Sequence, residues 1–71
     1  MKPILFCERF NEILKTCGLT QREIAKRCHI YETNISQYKN GETQPTLQVL
    51  MNLCEVLDVS ADYLLGLTDE Y

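Results

Sequence analysis

Apolar residues recur along the chain at helical spacing and nowhere alternate long enough to suggest a strand. Phe6, Phe10, Ile13 and Leu14 are separated by Glu8, Arg9, Glu12 and Lys15. This predicts a first helix from about Pro3 to Thr16, with Pro3 in its first turn and Gly18 as its stop. Thr20-Gln21-Arg22-Glu23 has the form of a capping box, in which Thr20 and Glu23 answer each other's backbone N–H groups. Leu19 before the cap and Ile24 after it fit a hydrophobic staple, and Ile24, Ala25 and Cys28 give this second helix a narrow apolar face. A third helix follows Ile30 and stops at Asn40-Gly41. Only Ile35 and Tyr38 face the core there, while Glu32, Thr33, Asn34, Ser36, Gln37 and Lys39 are polar. A helix that short and polar needs a packing partner on one side and displays hydrogen-bonding groups on the other.

Thr46 caps a fourth helix after Pro45. Its wide apolar face of Leu47, Leu50, Met51, Leu53, Cys54 and Leu57 predicts the central core helix. Ser60 caps a fifth, carrying Tyr63, Leu64 and Leu65 and stopping at Gly66; residues 67–71 form an acidic tail expected to fray. The expected fold is all-α: a compact five-helix bundle in one domain spanning 1–71. Within it, two helices of about eight residues at 20–40 are joined by a short turn near His29-Ile30-Tyr31. That is the layout of a helix-turn-helix, in which the second helix enters the major groove of duplex DNA.

Length and charge refine this picture. A chain of 71 residues buries only about 60% of its unfolded surface, so each core position matters. The formal net charge is −3, which looks unfavourable for a nucleic-acid ligand, but it is unevenly spread. Residues 46–71 carry Glu55, Asp58, Asp62, Asp69 and Glu70 with no lysine or arginine. Residues 20–44 carry Arg22, Lys26, Arg27 and Lys39 against Glu23, Glu32 and Glu42. Local sign governs contact with phosphates, so the acid sits where DNA need not go. Cys7, Cys17, Cys28 and Cys54 form no C-x-x-C pair and His29 is the one histidine. The cysteines read as reduced core or boundary thiols, with no metal and no cofactor. No apolar run approaches the ~18 residues of a membrane span, and four apolar residues after Pro3 are too few for a signal peptide. A cytoplasmic location is expected, with no sensor domain following the bundle.

The order and spacing of Gly18-Leu19-Thr20-Gln21, Glu23-Ile24-Ala25, Ile30, Ile35-Ser36, Tyr38, Asn40-Gly41, Pro45-Thr46-Leu47, Leu50, Leu57-Asp58-Val59-Ser60 and Asp62-Tyr63-Leu64-Leu65-Gly66 carry a specific likeness. The chain resembles the lambda-repressor-like, Cro-type (XRE) family of bacterial and phage regulators over roughly residues 4–68. The resemblance implies a transcriptional regulator, a repressor in the first instance, that reads the major groove with the helix at about 32–39. It implies a palindromic double-stranded operator and a homodimer, at least on DNA. Leu65, Leu67 and Tyr71 are the candidate dimer contacts. No enzymatic activity and no small-molecule ligand are implied.

Carried onto this sequence, the resemblance places Gln21 against a phosphate at a helix N-terminus, where free N–H groups favour anions. Asn40 follows the reading helix and also meets the backbone. Glu32, Thr33, Asn34 and Gln37 take the base-facing positions. By chemistry, Gln37 or Asn34 pairs with adenine, Glu32 accepts from cytosine N4, and Thr33 touches a thymine methyl. Arg22, Lys26, Ser36 and Lys39 are further phosphate contacts.

Five positions depart from the family pattern. His29 stands where glycine is usual in the turn, and Tyr31 where Ser or Thr caps the reading helix. Glu32 brings an acid to the DNA. Leu14 and Lys39 replace an arginine–acid pair, which frees Lys39 for phosphate. Glu32, the acidic total and the missing glycine keep an alternative open: a protein-interaction or antitoxin-like module with weak or no DNA binding.

Overall fold

The computed structural model describes residues 2–71; Met1, the first residue of the expected domain, lies outside the described residues. Five helices follow in order: α1 (Phe6–Leu14), α2 (Gln21–Cys28), α3 (Glu32–Lys39), α4 (Leu47–Leu57) and α5 (Ala61–Leu65). Among the described residues there is no strand. Nor is any helix among them long and apolar enough to cross a membrane.

Three helices start where a hydroxyl side chain satisfies a free N–H of the first turn. Thr20 accepts from Glu23 N–H at 3.1 Å, Thr46 from Val49 N–H at 3.2 Å and Ser60 from Tyr63 N–H at 3.0 Å. Four helices end by one device, a residue in the left-handed region at φ between 56° and 91°: His29, Gly41, Asp58 and Gly66. Beyond each, a backbone N–H returns to the last turn, as from Ile30 to Ala25 O at 3.0 Å and Glu42 to Gln37 O at 2.9 Å. These bonds satisfy carbonyls that a helix end otherwise leaves open. At Gly66 the requirement is doubled, because a Cβ there would lie 2.7 Å from Leu5 Cγ.

The core is one cluster drawn from all five helices. Phe10, Ile24, Ile35, Leu53 and Leu64 are fully enclosed within it. Phe6 and Phe10 stack with ring centroids 5.3 Å apart, and Tyr38 meets them edge-on at 5.8 and 6.2 Å. This aromatic trio fastens α3 to α1. Helix α2 packs against α3 and α4, so the apolar side of the helix-turn-helix rests on the bundle.

Three features differ from the sequence expectation. Helix α1 begins at Phe6, not Pro3, because Leu5 N–H donates to Leu65 O at 3.2 Å and draws the preceding chain across the end of α5. It stops at Leu14, not Thr16, where Lys15 and Thr16 bond to carbonyls three residues back and tighten the chain into a turn. On α4, Leu47 and Met51 are not core residues: they are 85% and 52% exposed. The apolar arc of α4 is wider than the wedge its neighbours cover.

The tail, expected to fray, folds back on the bundle. Ser60 N–H donates to Tyr71 O at 2.8 Å, the Tyr71 ring sits edge-on to Tyr63 at 4.8 Å, and Arg9 pairs with Asp69 at 2.7 Å. The Arg9 guanidinium also lies 4.7 Å over the Tyr63 ring, whose hydroxyl donates to Glu12 at 2.8 Å. Leu67 and Tyr71 remain 63% and 70% exposed.

Candidate nucleic-acid interface

The chemistry of the helix-turn-helix begins with its two starts. At the head of α2 the capping box is complete, since Glu23 also accepts from Thr20 N–H at 3.0 Å. That bond holds the Glu23 carboxyl below its ordinary range. A depressed carboxyl pKa stabilises the fold at pH above the ordinary glutamate range, and the contribution is lost as pH falls through the folded value. The thermal midpoint should therefore decline on acidification through that window. Glu23→Gln, whose amide oxygen accepts the same bond without titrating, should flatten the decline in a pH series of melting curves. The first-turn N–H groups of Gln21 and Arg22 have no intrahelical acceptor and remain available to an anion.

The turn takes the shape that its residues make costly. His29 adopts φ 58°, ψ 42°. Histidine tolerates this region better than most residues, but glycine occupies it without a Cβ penalty. His29 is exposed, so His29→Gly should stabilise the fold by about 0.5–1 kcal/mol, raising the thermal midpoint by roughly 2–8 °C. A midpoint that falls would show that the imidazole holds the turn by contacts of its own.

The head of α3 is capped from within the helix. Asn34 Oδ1 accepts from Tyr31 N–H at 3.0 Å, while Asn34 N–H donates to Tyr31 O at 2.9 Å. Asn34, expected among the base-facing residues, is half-buried, and its carbonyl oxygen is engaged in the cap while its amide NH2 is not. The tail of α3 is tied to α1 by a residue the sequence reading missed. Asn11 Nδ2 donates to Cys7 O and to Lys39 O, both at 2.9 Å, and the Cys7 thiol donates to Lys39 O at 3.3 Å. A neutral amide bridge thus joins α1 to α3, and the ammonium of Lys39 is left outside it. No periodic pattern could reveal Asn11, because its two short bonds go to backbone carbonyls.

Most of the remaining predicted residues of α3 share its outer face. Glu32, Thr33 and Ser36 are exposed on α3, with Asn40 exposed just beyond it and Gln37 half-buried between them. None of their side chains forms a hydrogen bond among the described residues. Ile35 and Tyr38 occupy the opposite face of the same helix and are buried. At about 100° per residue, Thr33, Ser36, Gln37 and Asn40 fall on the side away from that pair. Lys39 is exposed, as are Arg22 and Lys26 on α2, whereas Gln21 is half-buried. Among the described residues the one ion pair is Arg9–Asp69, far from these cations in sequence. Residues 46–71 balance none of their acid: Glu55, Asp58, Asp62, Asp69 and Glu70 are all exposed and no lysine or arginine lies among them.

The four thiols are unbridged, Cys28 buried and the others half-buried. Burial pushes the Cys28 and Cys54 thiols above their ordinary values. That opposes thiolate formation, so neither has the character of a nucleophile.

Comparison with known proteins agrees with this geometry. A family model described as helix-turn-helix matches residues 11–64. The uncharacterized HTH-type transcriptional regulator YobD of Bacillus subtilis (strain 168) is 33% identical over 66 residues, which cover 93% of this chain and 59% of that protein. The cryptic phage CTXphi transcriptional repressor RstR of Vibrio cholerae serotype O1 is 34% identical over 65 residues, covering 89% of this chain and 58% of its own. The chain thus spans less than two thirds of either relative. Among solved structures, the P22 c2 repressor in complex with synthetic operator 9T superposes with a TM-score of 0.79 at 33% identity, covering 86% of this chain and 92% of that one. A turn closed at His29, a reading helix held by its apolar side and the matched family model lead to one assignment: the chain belongs to the helix-turn-helix family, in its lambda-repressor-like form.

Proposed function

We propose that this protein is a sequence-specific, double-stranded-DNA-binding transcriptional regulator, acting as a repressor and reading the major groove with α3. The observation that carries this reading is the outer face of α3. Its exposed hydroxyl and amide groups have no partner within the described residues, on a helix held by Ile35, Tyr38 and the Asn11 bridge. Thr33 and Gln37, with Glu32 beside them, are the base-reading residues; Asn34 keeps only its amide NH2 for that role. Gln21, Arg22, Lys26, Ser36, Lys39 and Asn40 meet the phosphates. The regulator works in the cytoplasm, without catalysis, cofactor or small-molecule ligand.

The features that favoured a protein-interaction or antitoxin-like module lose their weight. His29 makes the turn without glycine, and the negative total arises from residues 46–71, which carry five acids and no lysine or arginine; Glu32 alone keeps an acid on the outer face of α3. The P22 c2 structure similar to this chain contains its operator.

A homodimer on a palindromic operator completes the reading. Half-sites one helical turn apart lie about 34 Å from each other, and the domain measures 32 × 23 × 21 Å. Two copies on such a site therefore come within touching distance. An apolar groove of about 150 Å³, lined by Phe6, Pro45, Leu47 and Leu65 among others and by no charged residue, begins just after the α3 exit turn. With Ile4, Leu47 and Met51 exposed around it, this groove, which includes the expected contact Leu65, is the contact for the second copy. Sedimentation should show Leu47→Glu to be monomeric at concentrations where the parent protein is dimeric on its operator.

Selection from a pool of random duplexes tests the function. One preferred site, whose binding falls steeply with salt and survives competitor DNA, is expected. Affinity no tighter than ~10⁻⁵ M for every duplex would contradict it and favour the interaction module.

A further inference from the structure

Tyr31 is absorbed neither by the fold nor by the reading above. Its side chain is 81% exposed, more than Tyr71 at 70%. It stands at the capping position of α3, yet the cap is made by Asn34. Its ring belongs to none of the aromatic pairs of the core, and its hydroxyl forms no hydrogen bond among the described residues. An aromatic ring left in water forgoes the stabilisation that burial of its apolar area would bring. Here that ring sits at the N-terminal end of the reading helix, the end whose residues approach base edges.

Resting on the DNA-binding reading, we infer that Tyr31 is a specificity-determining residue whose ring packs against the 5-methyl group of a thymine in the major groove. The thymine methyl is the one apolar feature on the major-groove edges of the bases, and apolar side chains distinguish thymine by touching it. A phosphate is the weaker candidate at this position. Glu32, the next residue, is exposed, and its carboxylate already answers the positive end of the α3 dipole.

The test uses the preferred duplex selected by the parent protein, remade with uracil in place of each thymine in turn, a change that deletes only the methyl group. The parent protein and Tyr31→Phe should each lose about 3–10-fold in affinity at one position of each half-site. Tyr31→Ser, which supplies a hydroxyl able to cap α3 and should melt no lower, should be indifferent to the methyl there. It should also bind the all-thymine duplex about as weakly as the parent binds the uracil one. Thr33→Ser should leave that position's methyl dependence intact. The inference is overturned if Tyr31→Ser keeps every thymine preference of the parent. It is overturned equally if Tyr31→Phe loses as much as Tyr31→Ser, which would assign the contact to the hydroxyl. A parent protein that selects no duplex removes the DNA-binding reading and the role of Tyr31 with it. A parent that selects a site without any methyl dependence shared with Tyr31 removes the latter alone.

Discussion

Phe10→Ala should leave little folded protein at physiological temperature. Phe10 is fully buried and touches both other rings of the aromatic trio. Truncating such a side chain costs about 3–5 kcal/mol, the lost transfer of the ring plus the void it leaves. A domain of 71 residues holds roughly 4–10 kcal/mol in total, so this one change removes a large part of it. Circular dichroism should show the thermal midpoint falling by about 15 °C or more, with DNA binding lost in the same temperature range. Phe10→Leu, which keeps most of the apolar volume, should recover much of the loss. A Phe10→Ala protein that melts near the parent would mean that α1 and α3 are fastened by something other than the trio.

The second large effect falls on recognition and spares the fold. Gln37→Ala should weaken binding to the preferred site by about 10–100-fold, the value of one bidentate amide–adenine pair. Gln37 is half-buried and its side chain forms no hydrogen bond among the described residues, so melting should barely change. Base preference should relax at one position per half-site and hold at the others. Lys39→Ala is the contrast. Its ammonium is exposed and outside the Asn11 bridge, so its removal should weaken every duplex alike and lower the salt slope by about one. The two variants separate reading from anchoring. An equal loss on all sequences in Gln37→Ala would place Gln37 on the backbone and not on a base.

Local chemistry was legible in the chain; distant pairing was not. The start of α2 was readable because Thr20 and Glu23 announce both halves of the cap. The stops at Gly41 and Gly66 and the helical spacing of Phe6, Phe10 and Ile13 were equally plain. The true start of α1 depends on Leu5 donating to Leu65, a bond across 60 residues that leaves no mark in the pattern. Leu47 and Met51 share the apolar arc of α4, but periodicity shows only that an arc exists, not how much of it the neighbouring helices cover.

The site divides in the same way. The outward place of Thr33, Ser36 and Gln37 followed from their spacing against Ile35 and Tyr38 along one helix, whereas Asn40 was placed by the family resemblance. The capping role of Asn34 was not legible for want of a local rule: a tyrosine that does not cap leaves that work to the amide at the third helical position. The tail resisted reading because its hold on Tyr63 and Arg9 joins the two ends of the chain.

The most direct test exchanges the reading surface and asks whether the preferred sequence follows it. Sites selected from random duplexes would be compared for the parent protein and for a variant with Glu32→Gln, Thr33→Ser and Gln37→Asn, after melting curves confirm that both are folded. The account predicts that the preferred bases change within each half-site while the half-site spacing stays the same. An unchanged preference would contradict it, because the outer face of α3 would then not be the part of the molecule that reads DNA.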